Sequence, residues 1–74
     1  MKIRIDSITR RRIVELLSRG ERSAGEIVAE FQLSAPAISQ HLKALREAGL
    51  VQVRVAAQRR IYALERAALD EIDA

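Results

Sequence analysis

The 74-residue chain is long enough for one small domain spanning residues 1–74, and its 49% hydrophobic and 31% charged residues give a globular balance, not that of a disordered chain. Its lack of cysteine excludes disulfides, thiolate metal sites, cysteine nucleophiles and thiol redox switching, while its formal net charge of +3 favours an anionic partner. No apolar run approaches the roughly 20 residues of a membrane span and MKIRID lacks the apolar core of a signal peptide, so a cytoplasmic location without membrane contact is expected.

In MKIRI, Ile3 and Ile5 alternate with Lys2 and Arg4, which fits a short edge strand or an irregular lead-in. Asp6 and Ser7 are alternative N-cap candidates for a first helix in which Ile8, Ile13, Leu16 and Leu17 recur at helical spacing and which stops at Gly20. Ser23-Ala-Gly-Glu26 has the S-x-x-E spacing of a capping box and predicts a short second helix with Ile27, Val28 and Phe31 on its apolar side. After a tight connection at Gln32 and Leu33, Ser34 caps a third helix. Pro36 falls in its first turn, where a missing N–H costs nothing, and Gly49 ends it. The period then changes to two. Val51, Val53 and Val55 alternate with Gln52 and Arg54, Ala56 to Arg59 form a turn, and Arg60 to Leu64 return as a second strand. From Glu65 onward, Ala68, Leu69 and Ile72 have the spacing of a C-terminal helix. The fold class is therefore mainly α with a small β-hairpin: a winged helix-turn-helix of three helices, a two-stranded wing and a C-terminal helix.

Charge is unevenly placed. Residues 31–64 carry five cations (Lys43, Arg46, Arg54, Arg59 and Arg60) against the single acid Glu47, whereas the remainder holds eight cations and nine acids. Projection of the third helix puts Ile38, Leu42 and Leu45 on an inward stripe, continued at the ends by Ser34 and Gly49, and puts Pro36, Ser39, Gln40 and Lys43 opposite. Those outward residues are short or hydrogen-bonding, as a helix entering a DNA major groove about 12 Å wide requires. Gln can bond adenine bidentately, Ser can bond donors or acceptors, and Ala35 or Pro36 can approach a thymine methyl. His41, at the edge of the stripe, reads either as a half-buried packing residue or as a phosphate contact. Tyr62 reads as a core or rim residue, on the same side of its strand as Arg60. Arg10, Arg11 and Arg12 span most of a turn and cannot all face one way. An enzyme is not indicated: the sequence has no glycine-rich phosphate loop, no nucleophile with a base at recognisable spacing, and no paired carboxylates in an apolar segment. A winged helix that binds protein instead of DNA is the alternative, but it would not need a cationic wing together with short side chains on the third helix.

The stretch "SAPAISQHLKALREAGLV" followed by "RVAAQRRIYAL" resembles the ArsR-type winged-helix transcriptional regulators, and "SITRRRIVELL" resembles the opening of an earlier helix in that family. The resemblance runs from about Ser7 to Leu64. It implies a homodimeric repressor bound to double-stranded operator DNA, with a recognition helix at about residues 34–48 in the major groove and a basic wing at about residues 51–64 on the backbone or minor groove. The DNA-binding residues it implies, with the face just described, are Ser34, Ala35, Pro36, Ser39, Gln40, His41, Lys43, Arg46, Arg54, Gln58, Arg59 and Arg60. Metal-sensing members carry Cys-x-Cys-Asp where this chain has Ser23-Ala24-Gly25-Glu26, so neither a metal nor another cofactor is expected, and the lone His41 could not hold zinc by itself. Members dimerise through helices flanking the domain, which here would be short. The wing tip Ala56-Ala57-Gln58 lacks the family's usual glycine, so a turn wider than two residues is expected.

Overall fold

A computed structural model describes residues 8–66. The expectations for MKIRI, for the caps Asp6 and Ser7 and for the C-terminal helix lie outside those residues. The described elements are α1 (Ile8–Ser18), β1 (Arg22–Ser23), α2 (Ala24–Glu30), α3 (Ala35–Glu47), β2 (Val51–Ala56) and β3 (Arg59–Leu64).

The start of α2 and both ends of α3 have local causes. The Ser23 hydroxyl accepts from the Glu26 N–H at 3.1 Å while the Ser23 N–H donates to Glu26 Oε1 at 2.8 Å, so the expected capping box is formed in both directions. At α3 the Ser34 hydroxyl accepts from the Ala37 N–H at 3.3 Å, and Pro36 sits in the first turn. The other end closes in a Schellman motif: the Gly49 N–H donates to the Arg46 carbonyl at 3.0 Å and the Leu50 N–H to the Leu45 carbonyl at 2.9 Å, with Gly49 at φ +78°. That reversal delivers the chain directly into β2.

The helices and the hairpin root close over one core. α1 supplies Ile13, Val14, Leu16 and Leu17, α2 supplies Ile27, and α3 supplies Ile38, Leu42 and Leu45; Leu50, Val51, Tyr62 and Leu64 complete it. Five of these, Ile13, Ile27, Ile38, Leu42 and Leu45, are essentially inaccessible, and each such side chain contributes about 1.5–3 kcal/mol by burial. The inward stripe of α3 is as expected in its middle, whereas Ser34 and Gly49 at its ends project beyond the core and are exposed. Ile8 also departs from the sequence reading, being 77% exposed. Five residues separate it from Ile13, which rotates it about 140° away from the core stripe, and Val14 fills the inward face instead.

The sheet holds one strand more than the hairpin. Its order is β1-β3-β2, all antiparallel, with Ser23 opposite Ile61 and Arg22 opposite Tyr62. The outer edge of β3 would otherwise leave backbone groups unpaired, and the connection from α1 to α2 passes close enough to supply two residues for it. β2 and β3 pair from Val51 opposite Leu64 to Ala56 opposite Arg59. The turn is therefore Ala57-Gln58, two residues and not the wider loop expected. Ala57 takes φ +58° to make it, with no glycine. Only the first turn position has positive φ, the sign pattern of a type II′ turn.

Candidate nucleic-acid interface

The outward face of α3 is set by its capped start and its buried stripe. With Ile38, Leu42 and Leu45 fixed inward, Pro36, Ser39, Gln40 and Lys43 are all exposed along the opposite side, and Ser34 and Ala35 are exposed at the N-terminal end. The face extends for roughly 20 Å, the length of thirteen helical residues.

The wing stands beside one flank of this helix. An open groove of about 580 Å³ lies between them. Ser39, Lys43, Arg46 and Glu47 line it from α3, Gln52 and Arg60 from the wing, and Val51, Val53 and Tyr62 form its floor. Residues directly opposite in the register share a face, so Arg60, paired with Val55, and Tyr62, paired with Val53, look the same way. This matches the expectation that Tyr62 and Arg60 share a side, and Tyr62 is buried, 5% exposed. Lys43, Arg46 and Arg60 thus border one groove.

The remaining wing cations are arranged differently. Arg54 lies on the other face of β2, opposite Ile61, and its Nη2 meets Glu21 Oε1 at 2.5 Å. Arg59 turns toward α2, with Nη2 3.9 Å from Glu26 Oε1, and a second groove there is lined by Gly25, Ala29, Gln58, Arg59 and Arg60. Both ion pairs are exposed on each side, so each holds its arginine with little energy. The Glu26 carboxyl is held below its ordinary value. The Ser23 backbone N–H is the largest cause and the Ser23 side chain the next; desolvation opposes them, and the Arg59 and Arg22 guanidiniums add lesser lowering effects.

His41 is half-buried where α3 meets α1, and its Nδ1 accepts a 3.1 Å hydrogen bond from Arg10 Nε. Thirty-one residues separate the two, and no local pattern in the sequence signals the contact. The structure therefore gathers Ser39, Lys43, Arg46 and Arg60 at the groove, leaves Pro36 and Gln40 on the free face, and separates from them Arg54 on the far side of the wing, Gln58 and Arg59 at its tip, and His41 on the opposite flank of α3. Sequence reasoning missed the acids Glu21 and Glu26 as partners of the wing, and Arg10 as the partner of His41. Among the described residues no cluster of three or more His, Asp or Glu side chains could hold a metal, and no helix is long and apolar enough to cross a membrane.

A short capped helix, a tight connection and a longer helix with a free polar face, followed by a cationic two-stranded wing at its side, define a winged helix-turn-helix domain. The family described as "Bacterial regulatory protein, arsR family" matches residues 7–53, and the chain belongs to that family. The chain is 49% identical over 57 residues to the HTH-type transcriptional regulator Rv2034 of Mycobacterium tuberculosis, a match covering 77% of this chain and 53% of that protein, so it spans about half that relative's length. It is 40% identical over 72 residues to the arsenical resistance operon repressor of Staphylococcus aureus, covering 97% of this chain and 68% of the repressor. Among solved structures, HlyU from Vibrio cholerae superimposes with a TM-score of 0.84 at 36% identity, covering 92% of this chain and 75% of HlyU. These relatives are transcriptional regulators, not enzymes, and the family is the one the residue patterns resembled.

Proposed function

We propose that the chain is a double-stranded DNA-binding transcriptional regulator that acts as a homodimer on a pseudo-palindromic operator. The observation that carries this reading is the joint geometry of α3 and the wing: an exposed helix face of short and hydrogen-bonding side chains, bordered on one flank by Lys43, Arg46 and Arg60. Ala35, Pro36, Ser39 and Gln40 would meet base edges in the major groove, Ser34 would approach the backbone at the helix start, and Lys43, Arg46 and Arg60 would neutralise phosphates. Gln58 and Arg59 at the wing tip extend that contact along the backbone or into the minor groove. Arg54 reaches a phosphate only by exchanging its Glu21 partner. Two copies would place their α3 helices in successive major grooves about 34 Å apart. Occupancy of a promoter then excludes polymerase, which gives repression, the activity for which the Staphylococcus aureus relative is named; HlyU is named as an activator.

The test is a fluorescence-anisotropy titration of labelled duplexes at several salt concentrations, with the solution mass measured by light scattering. Log affinity should fall with log salt by about 0.9 per phosphate neutralised, and Arg60→Ala should reduce that slope by about one contact on every sequence. Gln40→Ala should cost about 1–3 kcal/mol on the preferred sequence alone. A uniform loss from Gln40→Ala would refute its base-reading role, absence of binding at low salt would refute the DNA reading, and a monomeric mass on the bound duplex would refute the dimer.

A further inference from the structure

A recognition helix in a major groove lies between two phosphate strands. With its side chains an α-helix is about 10–12 Å across and the groove about 12 Å wide, so both flanks of the helix approach a backbone. In this chain the wing flank of α3 is cationic, through Lys43, Arg46 and Arg60. The other flank carries Ala37, His41 and Ala44, all half-buried, with His41 hydrogen-bonded to Arg10 of α1. Ser39 and His41 are two residues apart, about 200° around the helix, so they stand on nearly opposite sides. His41 is the one side chain on that second flank of α3 with a hydrogen bond to give.

Which proton it can give is fixed by Arg10. An arginine Nε can only donate, so His41 Nδ1, 3.1 Å away, must be the acceptor. The imidazole in this arrangement is neutral and carries its proton on Nε2, because the hydrogen bond at one ring nitrogen sets the tautomer at the other.

Resting on the DNA-binding reading above, we infer that the α1–α3 junction holds the second backbone strand of the duplex, with the neutral His41 ring, fixed by Arg10, donating Nε2–H to a phosphate oxygen. Arg10 is a positioning residue in this arrangement. The contact differs in kind from those of Lys43, Arg46 and Arg60: a neutral donor adds affinity without releasing a condensed counterion, so its loss weakens binding and leaves the salt slope unchanged.

The test uses the full chain, a labelled mixed-sequence duplex long enough for two half-sites, and mildly alkaline buffer. Gln places its amide N–H near the position of the imidazole Nε2, whereas Asn reaches only that of Nδ1. His41→Gln should therefore bind within about twofold of the unaltered chain, and His41→Asn about tenfold more weakly with the same salt slope, as for the loss of one hydrogen bond to a charged acceptor. Thermal unfolding of both variants checks that the fold persists, and imidazole nitrogen NMR of the unaltered chain should show the Nε2–H tautomer, which Arg10→Ala should convert into a mixture. Equal binding by both His41 variants, equal loss in both, or an Nδ1–H tautomer in the unaltered chain would overturn the inference while leaving the DNA reading in place. Failure of the unaltered chain to bind the duplex at low salt overturns both.

Discussion

Gly49→Ala isolates the conformational cost of ending α3 where it ends. Gly49 sits at φ +78°, a region in which an L-residue costs about 1–2 kcal/mol. A Cβ built at this position meets nothing within 4 Å, so no steric clash adds to that strain. The alanine in turn restricts the unfolded chain and returns about 0.4–1 kcal/mol. The net expectation is a loss of about 1 kcal/mol, which in a domain of this size lowers the thermal midpoint by about 4–8 °C. Thermal and urea unfolding followed by far-ultraviolet circular dichroism would measure it, with Gly49→Asn as the control. Asn tolerates the left-handed region and should lose roughly half as much as Ala. An alanine variant as stable as the parent, or an asparagine variant as damaged as the alanine one, would refute strain at Gly49 as the origin. The Schellman closure would then hold α3 to β2 by its hydrogen bonds alone.

Ala57→Gly is the converse case: relieving φ +58° at the wing tip should raise stability by about 0.5 kcal/mol, read as a higher urea midpoint. The Glu26 carboxyl is stabilised in its charged form, so its folded-state pKa lies below the ordinary 4.5. Its contribution is complete above that value and is lost as pH falls through the folded one. The stability difference between the parent and Glu26→Gln should accordingly shrink on acidification below 4.5, and a difference constant across that range would contradict the assignment. Arg54→Ala should change stability by less than about 1 kcal/mol, because both partners of its ion pair with Glu21 are exposed; urea unfolding at low and high salt measures it.

The elements whose cause is local were legible in the sequence. Ser23 with Glu26, Ser34 with Pro36, and Gly49 each satisfy backbone groups within a few residues, and the change from helical to alternating spacing after Gly49 marked the hairpin. What was hidden depends on neighbours distant along the chain. β1 is two residues long and carries no periodicity; it exists because β3 presents an unpaired edge. The partners of Arg54 and His41 lie 33 and 31 residues away, so the charge and polarity of the two side chains were legible but their direction was not. Ile8 had the right residue type in the wrong phase, and the two-residue turn at Ala57 went unforeseen because alanine seldom accepts positive φ. The free face of α3 was readable because it follows from where the buried stripe falls. The division of the wing cations between two faces was not, because it depends on which carboxylates the α1–β1 connection and α2 bring near.

The hairpin is paired to a third strand at one end only, and the exposed Arg59–Glu26 pair ties its tip to α2 with little energy. Near its base, Ile61 and Tyr62 are paired to strands on both sides, and the Glu65 N–H closes on the Leu50 carbonyl at 2.9 Å. Along β2 the inward side chains pass from buried Val51 through half-buried Val53 to Val55, which is 71% exposed. Amide exchange should therefore be graded along the hairpin, from opening with the whole domain at Tyr62 to local fraying at Ala56 and Arg59. Such a cantilever lets its free end follow grooves of different width at small cost, and part of the ordering entropy of that end is then lost only when a surface immobilises it.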